Sequence, residues 1–444
     1  MTLRVALQEI VANSHSPLLP IADYWERVAL RHVAEITNGA AFKSAQFNNA
    51  GIGMPLIRIR DVGANATKTF YNGDFEQRHV VEDGDLLIGM DGDFRVARWA
   101  GPTALLNQRV CRVRVLDGSC FNETFLEHVL QPYLDAVHEL TSAVTVKHLS
   151  SKTIGDLPIP LPPLPEQRRI VAAIEEHFSR LDAAAASLTA AGYRIDLLES
   201  TAVNIAFDDI TERVPLGDLA EVRGGIQKQP KRKPTSNPHS FLRVANVKRN
   251  RLELDDVHEI ELFDGEIDRF RLAEGDLLVV EGNGSQEQIG RSALWTGEIE
   301  NCVHQNHLIR VRPGATLNPR FLNAFWNSPI NSRQLTAVAS STSGLYTLST
   351  SKLNRVLIPV AGSTSQARIA DQLDDIRLSI DRLRAQMRVA WQRSAAMRRS
   401  VLAAAFSGQL VQQDPSDEPA SVLLERIAAY RAAAKPSPRK RVTA

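Results

Sequence analysis

The sequence predicts an α+β protein in which two tandem mixed α/β domains of short strands are separated by two long antiparallel coiled-coil helices. Three observations lead to this prediction: the chain repeats itself, each copy begins with short apolar runs broken by turn residues, and each copy ends in a long heptad pattern. The domains and helices are related by a pseudo-twofold internal repeat. A length of 444 residues agrees with several structural units, because a single core rarely grows to that size.

The internal repeat appears as landmarks that recur in the same order. Glu26-Arg27-Val28-Ala29-Leu30 returns as Glu212-Arg213-Val214-Pro215-Leu216, and Ile159-Pro160 returns as Ile358-Pro359. Two further landmarks lie between these matches in each copy. One is a glycine-aspartate turn before two leucines, and the other is a pair of arginines in a later strand. These further landmarks are Gly84-Asp85-Leu86-Leu87 with Gly275-Asp276-Leu277-Leu278, and Arg112-Val113-Arg114 with Arg310-Val311-Arg312. Several landmarks in one order predict two copies of one fold.

The first part of each copy is rich in β-type runs. Val, Ile and Leu dominate these runs, and Gly, Asn and Asp separate them, which is typical of short strands in a mixed, mostly antiparallel domain. The predicted strands are 56–59, 85–88 and 110–115 in the first copy, and 241–244, 276–280 and 308–311 in the second.

The second part of each copy is a predicted long helix with an apolar seam at heptad spacing. The first seam is Ile170, Ile174, His177, Leu181, Ala184, Leu188, Ala191, Ile195, Leu198, Ala202 and Ile205. The second seam is Ile369, Leu373, Ile376, Ile380, Leu383, Met387, Ala390, Ser394, Met397, Val401 and Ala404. The first helix leads from one domain to the other, so a second helix packed along it must run back. Each would be ~60 Å long at 1.5 Å per residue.

These patterns divide the chain into six segments. They are an N-terminal segment (1–21), a first domain (22–160), a central helix (161–207), a second domain (208–360), a distal helix (361–411) and a mobile C-terminal tail (412–444) containing one possible short helix. The tail is expected to be mobile because proline and serine interrupt it and its end is basic.

The composition excludes several classes of protein. No apolar stretch approaches the length of a membrane span, and the N-terminus does not resemble a signal peptide, so we expect a cytoplasmic protein. Three scattered cysteines without metal-ligand spacing predict neither a zinc site nor a disulfide framework. The glycine-rich Glu281-Gly282-Asn283-Gly284-Ser285 lacks the lysine of a phosphate-binding loop. We find no catalytic constellation, and expect the chain by itself not to be an enzyme.

Basic residues in the two domains are candidates for DNA contacts, although the net charge of +1 argues weakly against a nucleic-acid partner. In the second domain they cluster around Pro230-Lys231-Arg232-Lys233-Pro234; in the first they are dispersed. Solvated surface charge is the alternative in both. The candidates are Lys43, Arg58, Arg60, Lys68 and Arg95 in the first domain, and Lys228, Lys231, Arg232, Lys233, Arg243, Lys248 and Arg249 in the second.

Two aligned polar tripeptides, each just before a predicted strand, are further candidates. They are Asn107-Gln108-Arg109 and Gln305-Asn306-His307. Asn, Gln and Arg make bidentate contacts with adenine or guanine edges. The alternative is a turn whose amides hydrogen-bond to their own backbone.

The combination of these features resembles the specificity subunit of type I restriction–modification systems. The most specific segment is Pro162-Pro163-Leu164-Pro165-Glu166-Gln167-Arg168-Arg169-Ile170, and Ala405-Phe406-Ser407-Gly408-Gln409-Leu410 ends the second helix. The second copy, Ser363-Thr364-Ser365-Gln366-Ala367-Arg368-Ile369, keeps the glutamine, arginine and isoleucine but lacks the prolines and the glutamate. The resemblance extends from about residue 22 to residue 411.

The resemblance implies a non-catalytic subunit whose two target-recognition domains each read one half of a bipartite site in double-stranded DNA. It implies that the helices set the spacer and bind two adenine methyltransferase subunits, which use S-adenosylmethionine, and that motor–nuclease subunits complete the restriction complex. This chain itself would bind no cofactor and no metal. Two alternatives stay open: a coiled-coil scaffold whose β domains bind proteins, and a specificity subunit of another phage-defence system.

Overall fold

The computed structural model describes residues 7–141, 148–285, 288–342, 345–433 and 441–442. The chain divides into two compact units, which we call unit 1 (Met1–Ala186 with Trp391–Ala444) and unit 2 (Ser187–Ala390). In the described part of the chain, none of the helices combines the length and the apolar character that a membrane span requires.

The helices and strands follow one another in the order expected for a repeated α+β chain. The helices are α1 (Leu7–Asn13), α2 (Glu123–Thr141), α3 (Ser151–Gly155), α4 (Leu164–Asp208), α5 (Leu216–Leu219), α6 (Glu266–Phe270), α7 (Pro319–Trp326), α8 (Pro329–Val338), α9 (Thr350–Leu353), α10 (Ser363–Phe406) and α11 (Ala420–Ala433). The strands are β1 (Glu26–Ala29), β2 (Ala34–Asn38), β3 (Phe47–Asn48), β4 (Met54–Ile57), β5 (Phe70–Tyr71), β6 (Phe75–Glu76), β7 (Val80–Val81), β8 (Leu86–Gly89), β9 (Val96–Arg98), β10 (Ala104–Leu106), β11 (Val110–Val115), β12 (Pro158–Leu161), β13 (Arg213–Pro215), β14 (Ala220–Gly224), β15 (Pro238–Leu242), β16 (Val247–Lys248), β17 (Arg251–Leu252), β18 (His258–Glu261), β19 (Leu277–Val280), β20 (Gly282–Asn283), β21 (Ser292–Leu294), β22 (Val303–His304), β23 (Leu308–Pro313), β24 (Ser340–Thr342), β25 (Leu345–Thr347), β26 (Leu357–Pro359) and β27 (Arg441–Val442).

Each unit contains the same four-stranded antiparallel sheet. Its strand order is β2-β11-β8-β9 in unit 1 and β14-β23-β19-β21 in unit 2. The first four residues of β11 and of β23 are buried, and they include one arginine in each strand, Arg112 and Arg310. The repeat seen in the sequence is therefore a repeat of topology.

A second sheet in each unit contains one parallel pair among antiparallel ones. β4 runs parallel to β10 in unit 1, and β15 runs parallel to β22 in unit 2. The predicted mixed, mostly antiparallel character is confirmed. Two predicted strands end earlier than expected: the chain turns at Arg58 and Arg243, whose backbone N–H groups donate to Asp61 and Asn246, three residues on, at 2.9 Å each.

The glycine-aspartate turns of the repeat have a structural role. Gly84 and Gly275 have φ of +89° and +88°, a left-handed conformation that glycine adopts without steric cost. The aspartate that follows each of them is buried and ion-paired: Asp85 with Arg114 at 2.5 Å, and Asp276 with Arg312 at 2.7 Å. These landmarks therefore preserve the fold.

The most specific motif residue, Gln167, is a buried link between the long helix and its domain. Its Oε1 accepts a hydrogen bond from the backbone N–H of Asn122 at 2.7 Å, and its Nε2 donates to the Pro162 carbonyl at 2.9 Å. Gln366 repeats the arrangement in unit 2, accepting from the N–H of Asn318 at 2.8 Å. Asn122 and Asn318 precede α2 and α7, so each glutamine ties a long helix to a helix of its domain.

The long helices α4 and α10, of 45 and 44 residues, are antiparallel, as predicted. In unit 1, Asp182 of α4 pairs with Arg398 of α10, and the start of α4 shares a core with Phe406 at the end of α10. In unit 2, the core that contains Phe207 at the end of α4 also contains Ile369 at the start of α10.

The packing seam differs from the predicted one at six of its 22 positions, and the other predicted positions are buried or half-buried. The series that includes Ile174, Leu181, Leu188 and Ile195 is buried or half-buried, as is the series that includes Leu373, Ile380, Met387 and Val401. Ile170, Ile369 and Ile376 are also buried or half-buried. By contrast, Leu198, Ile205, Leu383 and Met397 are 55%, 69%, 43% and 56% exposed, and His177 and Ala184 are exposed.

The residues that follow these exposed positions make the inter-helix contacts. Arg384, rather than Leu383, donates to Asp196 and Glu199 at 2.7 and 2.9 Å in unit 2. Arg398, rather than Met397, pairs with Asp182 and lies 4.8 Å from the Phe178 ring centroid in unit 1. An arginine can take a seam position because its stem packs on apolar surface while its guanidinium reaches an acid. Apolar spacing alone therefore placed Leu383 and Met397 in the seam, where the residue that follows each of them makes the contact.

The segments flanking the first domain are packed rather than loose. The predicted mobile tail contains α11, whose Leu423 and Ile427 are 1% and 6% exposed within the unit 1 core. Arg169 of α4 donates to Asp417 at 2.6 Å, before this helix begins. At the other end, Val11 of α1 and Leu19 belong to the same core. Burial of one apolar face explains why a proline- and serine-interrupted segment is ordered here. The basic residues Arg439 and Lys440 lie outside the described residues.

Candidate nucleic-acid interface

The two polar tripeptides are equivalent turns at one edge of each unit. In unit 1 the N–H of Gln108 donates to the Ala40 carbonyl, and in unit 2 the N–H of Asn306 donates to the Ile226 carbonyl, at 2.8 and 2.9 Å. The N–H of Met90 donates to Arg109, and that of Glu281 donates to His307, at 2.8 and 3.0 Å. We call these surfaces, formed by the turn and the segments beside it, the turn edge of each unit.

Close backbone approach holds each turn edge together. A Cβ at Gly39 would lie 2.0 Å from the Asn107 carbonyl oxygen, and one at Gly225 would lie 2.2 Å from the His304 carbonyl oxygen. Only glycine fits at these two positions, because a real Cβ does not approach backbone oxygen this closely. Gly39 lets the chain after β2 cross the turn before β11 in unit 1. Gly225 does the same in unit 2, where the chain after β14 crosses the turn before β23.

Arg109 is the most constrained residue of the unit 1 turn edge. Its φ is +72°, which is uncommon for a residue with a side chain. Its Nη1 donates to both carboxylate oxygens of Asp91, at 2.8 and 3.0 Å, and Asp91 also lies 2.7 Å from Nδ1 of His148. The Arg109 side chain remains 53% exposed. The arrangement places a guanidinium at the surface in a fixed orientation.

The unit 2 turn edge has a histidine in the same place. Nδ1 of His307 lies 2.9 Å from Oε2 of Glu281, and the His307 side chain is 58% exposed. Glu281 follows β19 as Met90 follows β8. Each unit thus has one exposed side chain, Arg109 or His307, that is paired with a carboxylate. The carboxylate, Asp91 or Glu281, follows the strand next to the turn.

The amides of the two turns have different environments. Asn107 is buried, and its Oδ1 has no hydrogen-bond partner within the described part of the chain. Gln305 and Asn306 are half-buried, whereas Gln108 is exposed. Of the four predicted amides, Gln108 is therefore the most accessible to a ligand. The alternative interpretation of these tripeptides is a turn that uses backbone hydrogen bonds. Asn107 fits it, because its backbone carbonyl accepts from the N–H of Val110 at 3.3 Å.

The predicted basic loop of unit 2 divides into two kinds of side chain. Lys231 and Lys233 are exposed, as is Lys228. Arg232 instead donates to both carboxylate oxygens of Glu266 at 2.7 Å, and its side chain is 12% exposed. This hydrogen bonding lowers the pKa of Glu266 to about 2. Arg232 therefore stabilises the loop. Lys231, whose Nζ lies 5.5 Å from the Phe263 ring centroid, and Lys233 remain exposed to solvent.

A second carboxylate fixes the other end of the same loop. Glu261 accepts hydrogen bonds from the Ser236 hydroxyl at 2.7 Å and from the backbone N–H groups of Thr235 and Asn237 at 2.8 Å each. These contacts, the Ser236 hydroxyl first, lower the pKa of Glu261 to about 2. The loop is therefore held at both ends by acids.

The remaining unit 2 candidates make contacts within the protein. Arg243 donates to a carboxylate oxygen of Asp256 at 2.7 Å, and Lys248 lies 3.3 Å from Glu253. Nη1 of Arg249 is 3.5 Å from Oδ1 of Asn327. Ion pairs with exposed partners are weak in water, so these cations can exchange partners when an anion approaches.

The unit 1 candidates stay dispersed in the folded chain. Lys43, Arg58, Arg60, Lys68 and Arg95 are exposed. Lys43 follows Ala40 of the turn edge, whereas Arg60 donates to Thr69 at 3.3 Å on another part of the surface. Arg95 covers Gly63, since a Cβ there would lie 2.5 Å from its Cζ. Of these five residues, Lys43 lies three residues after Ala40, whose carbonyl accepts from the N–H of Gln108.

The sequence prediction missed the acids of the turn edges. Asp91, His148 and Glu281 contact the predicted cations, and each lies far from them in the sequence. Their positions follow from the register of β11 on β8 and of β23 on β19, in which Val110 lies opposite Gly89 and Leu308 opposite Val280. Neither register can be read from the apolar pattern.

The long helices expose apolar side chains in unit 2. Leu198 and Ile205 of α4 and Leu383 of α10 each precede a position that packs on the other helix, and one residue rotates the side chain by about 100°. In an antiparallel pair, positions rotated in this sense lie on the same side. Tyr193 and Leu197 of α4 are 73% and 65% exposed as well. We call these five residues the helix face.

In the part of the chain that the structure describes, no group of three or more His, Cys, Asp or Glu side chains could hold a metal ion. Cys111, Cys120 and Cys302 are buried, and burial raises the pKa of Cys111 and of Cys302 to about 12. Such thiols are poor nucleophiles because the thiolate is the reactive form.

Comparison with known proteins adds independent information. A family model described as the type I restriction modification DNA specificity domain matches residues 22–188. The type I restriction enzyme EcoBI specificity subunit of Escherichia coli is 31% identical, and the match covers 98% of this chain and 98% of that one. The EcoKI specificity subunit of Escherichia coli strain K12 is 24% identical over 68% of this chain and 70% of its own.

The fold is also similar to that of a solved chain from a type I restriction–modification system. That chain superimposes with a TM-score of 0.67 at 18% identity, over 88% of this chain and 99% of its own length.

Proposed function

Because this chain belongs to the family of type I restriction enzyme specificity subunits, we propose that each of its units reads one half of a bipartite DNA site. The observation that supports the proposal most directly is the turn edge, which occurs once in each unit with the same backbone and different side chains. An equivalent frame allows the two units to approach DNA in the same way. Arg109 in one and His307 in the other would then favour different bases, so the site would be asymmetric.

The charge distribution agrees with a protein that shares the task of binding DNA. Phosphate contacts supply much of the affinity of most DNA-binding proteins, and they require many cations. This chain has a net charge of +1, and many of its arginines are paired with acids. We propose that partner subunits supply the remaining phosphate contacts, while exposed lysines such as Lys231 and Lys233 contribute locally.

We further propose that the helix face binds adenine methyltransferase subunits, which carry S-adenosylmethionine, and that motor–nuclease subunits complete the restriction complex. Soluble proteins rarely leave a contiguous apolar surface exposed unless a partner covers it. Leu198, Ile205 and Leu383 occupy positions at heptad spacing that a second pair of helices can cover. The chain itself would hold no cofactor and catalyse no step.

Domain exchange tests independent reading of the two half-sites. Residues 22–156 would be replaced by the corresponding domain of another family member, and methylated adenines would be mapped genome-wide in cells that contain the partner subunits. We expect one half of the modified motif to change and the other to stay. A folded chimaera that changes both halves would count against independent reading. A wild-type chain that binds no DNA would favour the scaffold alternative.

The helices are also proposed to set the spacer between the half-sites. Removing one heptad from each, for example residues 184–190 and 390–396, shortens each helix by ~10 Å and keeps the heptad phase. The preferred spacer should then shorten by roughly three base pairs, because duplex DNA rises ~3.4 Å per pair. Binding of the purified full-length variant to a library of spacer lengths measures this. An unchanged optimum in a folded variant means that the helices do not set the distance.

A further inference from the structure

The Arg109 guanidinium is held through only one of its nitrogens. Nη1 makes both contacts with Asp91 and lies 3.5 Å from Nδ1 of His148. Among the residues that the structure describes, none accepts a hydrogen bond from Nε or Nη2 of Arg109. Two parallel N–H donors on one edge of the guanidinium are therefore left pointing away from the carboxylate, on a side chain that is 53% exposed.

The backbone at Arg109 is constrained as well. A left-handed φ of +72° costs a non-glycine residue free energy, and such strain persists where the surroundings determine the conformation. Here the Arg109 carbonyl accepts from the N–H of Met90 at 2.8 Å, and β11 begins at the next residue. Strained residues of this kind are concentrated at functional sites.

We propose that Arg109 reads a guanine in the half-site of unit 1 and that Asp91 is its positioning residue. Guanine presents N7 and O6 as adjacent acceptors in the major groove, and an arginine edge with two N–H donors matches them. The Nε and Nη2 edge of Arg109 is free for this contact, while Asp91 holds Nη1. This inference rests on the proposed function and names the base that one unit recognises.

The charge of Asp91 distinguishes a base contact from a phosphate contact. A carboxylate 2.8 Å from the guanidinium repels a phosphate that approaches the same group and offsets part of its positive charge. A guanine edge is neutral, so the carboxylate does not oppose it. Asp91 also reduces the number of orientations that the long arginine side chain can adopt, and thereby lowers the entropy lost on binding.

The equivalent residue of unit 2 cannot make the same contact. His307 uses Nδ1 toward Glu281, which leaves Nε2 as a single ring nitrogen for a ligand. One nitrogen cannot form the paired contact with N7 and O6. The guanine contact is therefore expected in one half of the site only, and His307 provides an internal reference.

The experiment selects preferred sites from a random duplex library with the full-length chain, both alone and in complex with its partner methyltransferase subunits. Arg109→Gly removes the side chain and suits the left-handed backbone, so the fold should be retained. We expect it to lose the preference for guanine at one position of one half-site, by roughly 5- to 150-fold, the range for a bidentate pair. Asp91→Asn should reduce the preference at that same position while affinity for unrelated DNA stays the same or rises.

A modified base tests the contact at the level of atoms. Replacing the selected guanine by 7-deazaguanine removes the N7 acceptor, and should weaken binding of the wild type but not of Arg109→Gly. Arg78→Ala is the matched control, because Arg78 is an exposed unit 1 arginine that pairs with Glu76; it should leave the motif unchanged.

Three outcomes would overturn the guanine proposal alone: an unchanged motif with Arg109→Gly, an equal loss of affinity for all sequences, or a change in the other half-site. If the wild type selects no bipartite motif, the proposed function is wrong, and the guanine proposal is wrong with it.

Discussion

Units 1 and 2 share a four-stranded antiparallel sheet with equivalent buried ion pairs, but they differ in the side chains around the turn edge. Leu106 precedes the turn in unit 1, and His304 occupies the equivalent position in unit 2, each paired in parallel with its neighbouring strand. Arg109 and His307 differ in the same way. The glycines that allow close backbone approach, Gly39 and Gly225, are repeated. The side chains beside the turn differ between the units, both in the interior and at the surface. A duplicated frame can thus present two different surfaces.

At the start of the long helices, residues that contact one another differ together between the two units. In unit 1, Glu166 accepts hydrogen bonds from Tyr24 at 2.8 Å and from Trp25 at 3.1 Å. In unit 2 the aligned residues are Ser365, Ile210 and Thr211, so the acid and both of its donors are absent together. A buried carboxylate without donors would be costly, which explains why the second motif retains the glutamine without the glutamate.

The largest expected difference between the units is a loss of stability of unit 2 in acid. The His304 ring is fully buried, its Nδ1 is 3.0 Å from the Leu308 carbonyl oxygen, and its Nε2 has no partner among the described residues. Burial lowers the pKa of His304 from 6.5 to about 4. Between these values the unfolded chain binds a proton that the folded unit does not, so stability present above pH 6.5 is lost as the pH falls to 4, by at most roughly 3 kcal/mol.

Hydrogen exchange followed by mass spectrometry from pH 7 to pH 4.5 measures this loss within each unit. His304→Leu places in unit 2 the residue that unit 1 has, and should remove most of the loss there. Burial also lowers the pKa of His79 and His128, so unit 1 should keep a pH dependence that this variant does not alter. Equal pH dependence of unit 2 in wild type and variant would show that His304 is not its source.

A second, smaller difference concerns the basic loop, for which unit 1 has no counterpart of similar charge. Lys231→Ala with Lys233→Ala removes two exposed cations and should reduce the magnitude of the slope of log affinity against log salt by about 2. Between 50 and 200 mM salt the wild type should therefore lose roughly tenfold more DNA affinity than the double variant. Titration of labelled duplex DNA at several salt concentrations checks this.

Arg232→Ala is the control for the loop, because Arg232 is occupied by Glu266. It should leave the salt slope nearly unchanged while loosening the loop. If Arg232→Ala flattens the slope and the double lysine variant does not, the assignment of roles within the loop is reversed.

The smallest expected effect tests the seam of the long helices in unit 2. Arg384→Ala should destabilise the helix pair by no more than about 1 kcal/mol, because the ion pairs with Asp196 and Glu199 are partly exposed and screened by water. Leu383→Ala should cost less still, since its side chain is 43% exposed. If Leu383 were in the seam, its replacement would cost about 2 to 5 kcal/mol. Urea unfolding of the two variants ranks them.

The sequence by itself determined the duplication, the mixed sheets and the two long antiparallel helices. Repeated landmarks and apolar periodicity are properties of the sequence itself, and they can be recognised without knowledge of the fold. They also placed β11 at Val110–Val115 with the bounds that the structure shows. The motif glutamines were recognised as a signature, although their role in tying each helix to its domain was not.

Only the tertiary structure decided which cations meet which acids and which side of each helix is covered. Arg109 and Asp91 come together through strand register, which depends on hydrogen bonds between segments far apart in the chain. At Leu383 and Met397 the seam lies one residue later than predicted because Arg384 and Arg398 pair with acids on the facing helix, and apolar periodicity does not record such partners. The tail is packed because Leu423 and Ile427 meet a core formed by distant residues. In each case, the stabilising free energy comes from a contact between two distant segments, so the sequence of either segment alone does not predict it.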